Sequence, residues 1–157
     1  MADQRTPEES IQALGLALPP PPSSAGNYVL SKKVGDVVYL SGVISAGPAG
    51  VIEGTAGAGR TAEEGYAAAQ TCALTHLAAL KNTLGSLDRV AEVLSVTGFV
   101  NAAPGFPDSS LVVNGASDLL VQVFGDAGRH VRAAVGVSAL PRNALVEIQM
   151  AVRVREP

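Results

Sequence analysis

Between residues 131 and 154 the chain alternates apolar with polar or small positions at a period of two. Val146, Ile148, Met150, Val152 and Val154 fall on one side of a strand, and Glu147, Gln149, Ala151 and Arg153 on the other. That is the pattern of a strand with one apolar face. Ala133, Val135 and Val137 alternate with Arg132, Ala134 and Gly136 in the same way, and residues 138–144 join the two strands. Parity therefore puts Arg132 and Glu147 on the less apolar faces of their strands. A single cation and a single carboxylate on weakly polar sheet faces form the best candidate constellation in the chain.

The same reading, carried back along the chain, predicts the other elements. Residues 27–33 and 37–41 make a hairpin around Gly35-Asp36, and Gly42 after Ser41 suits a bulge or a close backbone approach. Residues 90–101 are nearly all apolar, as in a central strand buried on both faces. Thr61 and Glu64 form a capping box for a long Ala-rich helix that runs to Leu84, with Gly85 as its C-cap. Leu74, Leu77, Ala78, Leu80 and Leu84 lie on or near one face of it. A second core helix starts at Asp108 or Ser110 and runs to about Phe124. Its Asn114-Gly115 pair marks a break, with the regular helix resuming near Ser117. Residues 45–59 are Gly-rich, lack the Lys-Ser/Thr of a phosphate loop, and read as a mobile surface loop. At the start, Thr6, Pro7 and Glu9 open a short helix that must end near Leu18, because Pro19 to Pro22 cannot continue it. Residues 1–25 thus form a helix and Pro-rich extension, and 26–157 a single domain. The order β-β-α-β-α-β-β gives an α+β fold, a mixed sheet with two helices on one face. The other face, expected to carry Arg132, Glu147 and Gln149, needs cover, and another copy of the chain would supply it.

Composition narrows the chemistry. The chain has 157 residues, 47% of them hydrophobic but only 4% aromatic, so the core is built from Ala, Val and Leu. A net charge of -3 without clustered Lys and Arg argues against a nucleic-acid partner. Cys72 is the only cysteine, which excludes an intramolecular disulfide and fits a reducing, cytoplasmic setting. The first ten residues are polar and lack the apolar core of a signal peptide, and no apolar run reaches the ~20 residues needed to cross a bilayer. Cys72 and His76 share a helical face. Two ligands do not make a zinc site, so they read as a core thiol and a partly exposed histidine.

Several short stretches, in order and spacing, resemble the reactive-intermediate-deaminase family, the RidA or YjgF-like proteins. They are Gly26-Asn27-Tyr28, Val34-Gly35-Asp36, Tyr39-Leu40-Ser41-Gly42 and Gly85-Ser86-Leu87-Asp88. The strongest is Arg132 followed by Leu140-Pro141 and Val146-Glu147-Ile148. The resemblance covers roughly residues 26–153. It implies a chorismate-mutase-like fold, a homotrimer with clefts between subunits, and hydrolysis of reactive enamines and imines such as 2-aminoacrylate to 2-keto acids and ammonia, without a cofactor. By the resemblance, Arg132 binds the substrate carboxylate and Glu147 positions water. Tyr28, Ser41 and Gly42 line the site with Ala133 and Ala134, and Asn114 stands, after an indel, where the family often has a site asparagine. The chain also departs from the pattern. The usual Pro-Ala-Arg-Ser/Thr reads His130-Val131-Arg132-Ala133, which removes the hydroxyl after the arginine, and Ala134 replaces a larger lining residue. A less characterised branch is implied.

The residue types suit that chemistry. A guanidinium offers a planar carboxylate two parallel hydrogen bonds. A carboxylate can orient a water and take its proton. Other readings stay open at this point. Arg132 and Glu147 could form a structural ion pair, Tyr28 could simply pack, Ser41 and Asn114 could serve turns or caps, and His130 could be solvated. The competing function is a non-catalytic trimer that binds small carboxylates, with no nucleic-acid or membrane partner in either case.

Overall fold

The structure is a computed structural model that describes residues 5–157. Part of the polar N-terminal stretch, residues 1–4, lies outside the described residues. The fold is α+β, as the pattern predicts. Strands β1 (Ser31–Val34), β2 (Val37–Ile44), β3 (Val90–Asn101), β4 (Val131–Val137) and β5 (Val146–Val154) form one sheet in the order β1-β2-β5-β3-β4. All neighbours are antiparallel except β3 and β4, which are parallel. Helices α2 (Ala62–Leu84) and α3 (Ser109–Phe124) carry the crossovers and cover one face.

The alternation in β5 is realised. Val146, Ile148, Met150, Val152 and Val154 are all buried in the core with Val38, Leu40, Val93, Val96 and Val100. Helix α2 begins with the capping box at Thr61 and Glu64 and ends on Gly85 in the left-handed conformation, φ 85°. Its buried Ala68, Ala69, Ala73 and Ala79 let it lie close to the sheet. Helix α1 (Pro7–Ala13) carries the second capping box, at Thr6 and Glu9, and buries Ile11 in the same core. The Glu8 carboxylate accepts the Leu87 N–H at 3.2 Å, tying this extension to the turn before β3.

Helix α1 ends at Ala13, short of the expected Leu18, with Gly15 just beyond it in the left-handed conformation, φ 73°. Five further expectations change. The hairpin's first strand starts at Ser31 rather than at residue 27, because residues 25–28 bend before entering the sheet. Strand β3 is buried only on its helix side. Leu94, Ser95, Thr97 and Phe99 remain half-exposed on a face that none of the described residues covers. Helix α3 is continuous through Asn114-Gly115. Gly115 is a packing residue there, since a Cβ would collide with the Tyr66 backbone carbonyl of α2. The propensity cost of about 1 kcal/mol for a helical glycine is set against this close helix–helix approach. Residues 45–59 are folded back rather than loose. They form two small ladders, Ala46–Gly47 with Gly50–Val51 and Thr55–Ala56 with Gly59–Arg60. The buried Ser45 hydroxyl donates to the Ile52 carbonyl at 2.9 Å and accepts the Val146 N–H at 3.2 Å.

The fifth change concerns His76, which is buried, not partly exposed. Its Nε2–H donates to the Ile148 carbonyl at 2.7 Å, while Nδ1 has no partner. Ile148 sits where the β2–β5 register shifts between Leu40 and Val43. A bulge interrupts the ladder at that point, and the imidazole reaches the sheet backbone there from α2. Burial lowers the His76 pKa to about 4, with the carbonyl bond opposing the shift. Cys72, one turn earlier, is also buried, and burial pushes its thiol pKa up. The described residues contain no group of three His, Cys, Asp or Glu that could hold a metal ion. No described helix is long and apolar enough to cross a membrane.

Candidate functional site

Strand pairing puts the two principal candidates on opposite faces of the sheet. Arg132 is level with Val96 and Met150, on the helix-covered side. Glu147 is level with Phe99 and Ile44, on the uncovered side. Two strand spacings and three residues of rise separate their backbones by about 14 Å. The parity expectation that one open face carries both is therefore corrected. Each strand has its own less apolar face, and the registers of β4 and β5 on β3 put those faces on opposite sides, because Val96 and Phe99, the partners of Arg132 and Glu147, are an odd number of residues apart. The two residues cannot form an ion pair within one chain.

Glu147 belongs to a cluster around the β2 bulge. A Cβ on Gly42 would lie 2.6 Å from the Glu147 Oε1, so the absence of a side chain there is what admits the carboxylate. Ser41 donates its hydroxyl to the Val29 carbonyl at 2.6 Å, and its N–H donates to the Leu30 carbonyl at 2.8 Å. These bonds pin the segment that carries Tyr28, whose ring is about half exposed at 48% and whose hydroxyl accepts the Ala25 N–H at 3.4 Å. Ser41 is thus a tether for the Tyr28 segment. Glu147 is half-buried, and burial raises its pKa. A carboxylate shifted upward toward neutrality is a better proton acceptor than an ordinary one.

Arg132 belongs to a second cluster, on the edge strand β4. Its Nη1 donates to the Asn114 Oδ1 at 2.7 Å and to the Ser117 Oγ at 3.2 Å, and Nη2 donates to the Ser110 carbonyl at 3.4 Å. Helix α3 therefore holds the guanidinium while Arg132 stays exposed. Asn114 is neither a turn nor a cap; it is a mid-helix side chain aimed at the arginine. Ala134 faces the same way as Arg132, level with Gly98, whereas Ala133 lies on the uncovered side, level with Thr97. His130 is not simply solvated: its Nε2 is 2.9 Å from the Ser117 Oγ, and its Nδ1 is 2.7 Å from the Gly128 carbonyl.

The residues thus fall into two half-sites. Tyr28, Ser41, Gly42 and Glu147 make one, and Asn114, Ala134 and Arg132, with Ser117 and His130, make the other. Comparison with known proteins places the chain in a family. A family model described as "YjgF/chorismate_mutase-like, putative endoribonuclease" matches residues 8–153, nearly the whole chain. The chain belongs to this YjgF/chorismate mutase-like family. Protein TCP17 of Trypanosoma cruzi is 43% identical over 145 residues, covering 91% of each chain. The crystal structure of Atu1372 from Agrobacterium tumefaciens, a protein of unknown function, shares 36% identity and a TM-score of 0.88, over 96% of this chain and 94% of that one. RidA from a Psychrobacter species shares 26% identity with a TM-score of 0.60, over 85% and 93%. The YjgF fold is common to all, and this chain superposes more completely on the Agrobacterium protein than on RidA.

Within that family frame, Ser117 and His130 are the residues that the sequence does not single out as a unit. They lie 13 positions apart, on α3 and at the start of β4. The one signal available was the histidine standing where the family pattern has proline.

Proposed function

We propose that the chain is an enamine/imine deaminase that works as a homotrimer, with each site assembled from the Arg132 half of one subunit and the Glu147 half of its neighbour. The observation that carries this reading is the separation of the two half-sites onto opposite faces, each held by its own local contacts. Two further features support it. Strand β4 is a sheet edge with exposed Val131 and Val135, and the face around Glu147, Phe99 and Tyr39 is left uncovered by the described residues. Unpaired edges and apolar faces of this kind are normally covered in an assembly.

The chemistry follows from the groups present. The substrate carboxylate binds the guanidinium of Arg132, which Asn114 and Ser117 hold in a fixed orientation. Water adds to the iminium carbon as Glu147 takes one of its protons. Glu147 then returns that proton to the nitrogen and takes the adduct's hydroxyl proton as the C=O bond forms and the C–N bond breaks, releasing the 2-keto acid and ammonia; the proton then passes to the ammonia or solvent. Elevation of the Glu147 pKa by burial makes the carboxylate a better acceptor of the water proton. No cofactor enters any step. Free imines already hydrolyse in water, so the modest acceleration available from two polar groups suffices.

A carboxylate-binding protein without catalysis is the competing reading, and the ordered guanidinium alone would serve it. Keto-acid release in a coupled assay that generates 2-aminoacrylate and longer 2-imino acids separates the two. The proposal expects acceleration by the wild type that disappears in Arg132→Ala. Binding of 2-keto acids without acceleration would leave only the binding role.

A further inference from the structure

Beside Arg132 the chain carries a hydrogen-bonded array that the steps above use only to hold the guanidinium. The Ser117 hydroxyl oxygen accepts from the Arg132 Nη1 at 3.2 Å and lies 2.9 Å from the His130 Nε2. The His130 Nδ1 faces the Gly128 carbonyl at 2.7 Å, so that nitrogen must carry the hydrogen. A cavity of about 270 Å³, lined by Ser117, Asp118, Val121, Arg129, His130 and Arg132, opens onto the array. The arrangement has the form of an activated hydroxyl: a hydroxyl, a base within bonding reach, and a third group that orients the base.

The surroundings argue against a nucleophilic role. Ser117 lies in the middle of α3 (Ser109–Phe124), where backbone N–H groups are spent on helical bonds and cannot form an oxyanion hole. A proton-transfer role fits better. When the imidazole is neutral, Ser117 donates to Nε2. When the imidazole is protonated, Nε2–H donates to Ser117, and the hydroxyl hydrogen is freed to point into the cavity. Neither state breaks the bond to Gly128. The charged groups that face His130 are Arg132 beyond Ser117, Arg129 with its partner Asp126, and Asp118, which accepts from the Tyr66 hydroxyl.

We infer that Ser117, recharged by His130, is the acid that protonates the terminal carbon of an enamine carboxylate held on Arg132. An enamine such as 2-aminoacrylate must gain a proton at carbon before water can add. The proton passes from the Ser117 hydroxyl to that carbon as the C=C pair forms the new C–H bond and the nitrogen lone pair forms C=N. His130 Nε2 refills the hydroxyl and recovers its own proton from solvent. The product is the iminium ion on which Glu147 then acts.

This inference rests on the deaminase reading, and the test distinguishes the two. The same keto acid, pyruvate, is released from an enamine, 2-aminoacrylate made in situ from serine by a dehydratase, and from an imine, 2-iminopropanoate made from alanine by an amino-acid oxidase. Wild type is expected to accelerate both. Ser117→Ala and His130→Gln are expected to lower the enamine rate at least about tenfold more than the imine rate, the low end of general-acid effects; Ser117→Ala also removes one bond to Arg132, so its imine rate falls too, but by less. A group that merely propped Arg132 would lower both rates together. Wild type alone gives a second readout: with 2-aminocrotonate in D2O and immediate reduction of the product, deuterium is expected at one face of the new C–H centre. Equal loss on both substrates, loss on neither, wild-type acceleration of the imine only, or unselective deuteration would overturn the inference. Acceleration of neither substrate by wild type would overturn the deaminase reading itself.

Discussion

Acidification provides a direct test of how His76 is held. The ring is fully buried and neutral, with its pKa lowered from 6.5 to about 4 by burial. A histidine whose folded pKa lies below its unfolded value leaves stability unaffected above pH 6.5. Stability is then lost as pH falls from about 6.5 to about 4, because only the unfolded chain binds the proton there. Each unit is worth ~1.4 kcal/mol, so the loss between pH 7 and pH 4.5 is ~2.5 kcal/mol, a large part of the 5–15 kcal/mol typical of a domain. Burial raises the Glu147 pKa, so its protonation on acidification favours the folded form and opposes this trend. The comparison must therefore be made against a variant. His76→Gln keeps a side-chain N–H for the Ile148 carbonyl and removes the titration. Urea unfolding of both proteins at fixed protomer concentration, at pH 7 and pH 4.5, gives the difference directly. Wild type should lose ~2.5 kcal/mol more than the variant over that interval. An equal loss in the two proteins would refute the reasoning.

Two glycines separate function from folding. Gly42→Ala places a methyl group against the Glu147 Oε1, which lies at the free end of a flexible side chain. The carboxylate should swing aside, costing less than ~1 kcal/mol of stability but most of the deaminase activity; a thermal melt beside the coupled assay checks both. Gly115→Ala instead meets the Tyr66 backbone carbonyl, which cannot move without shifting α2. We expect destabilisation of about 3 kcal/mol or more, read as insoluble protein or a strongly lowered Tm, and a normal melt would contradict the packing.

Much of the fold was legible because period-two and helical patterns agree with the caps. Thr61, Glu64 and Gly85 bound α2 as expected, and the apolar set of β5 is the core set. The errors have physical reasons. Gly115 looks like a helix breaker from propensity alone, but the close crossing of α2 and α3 requires it. His76 reads as partly exposed because nothing local reveals the Ile148 carbonyl, 72 positions away, that accepts its hydrogen bond. The nearly unbroken apolar run of β3 suggests two buried faces, yet the described residues of a single chain cover only one. The candidate site was legible as residues but not as geometry. Period two assigns each residue to a face of its own strand; only the pairing of β4 and β5 with β3 shows that Arg132 and Glu147 face opposite ways. The Ser117–His130 pair depends on how α3 lies along β4, which no local pattern encodes.

The central claim is that each active site takes Arg132 from one subunit and Glu147 from another. Subunit complementation tests it most directly. Arg132→Ala and Glu147→Gln are each prepared, shown to be inactive and trimeric, then unfolded together in equal amounts and refolded as mixed assemblies. Random mixing leaves about one cleft in four with both native residues in a cyclic trimer of shared sites. The account predicts recovery of about a quarter of wild-type keto-acid release, whereas a mixture that stays as inactive as its parents would contradict it.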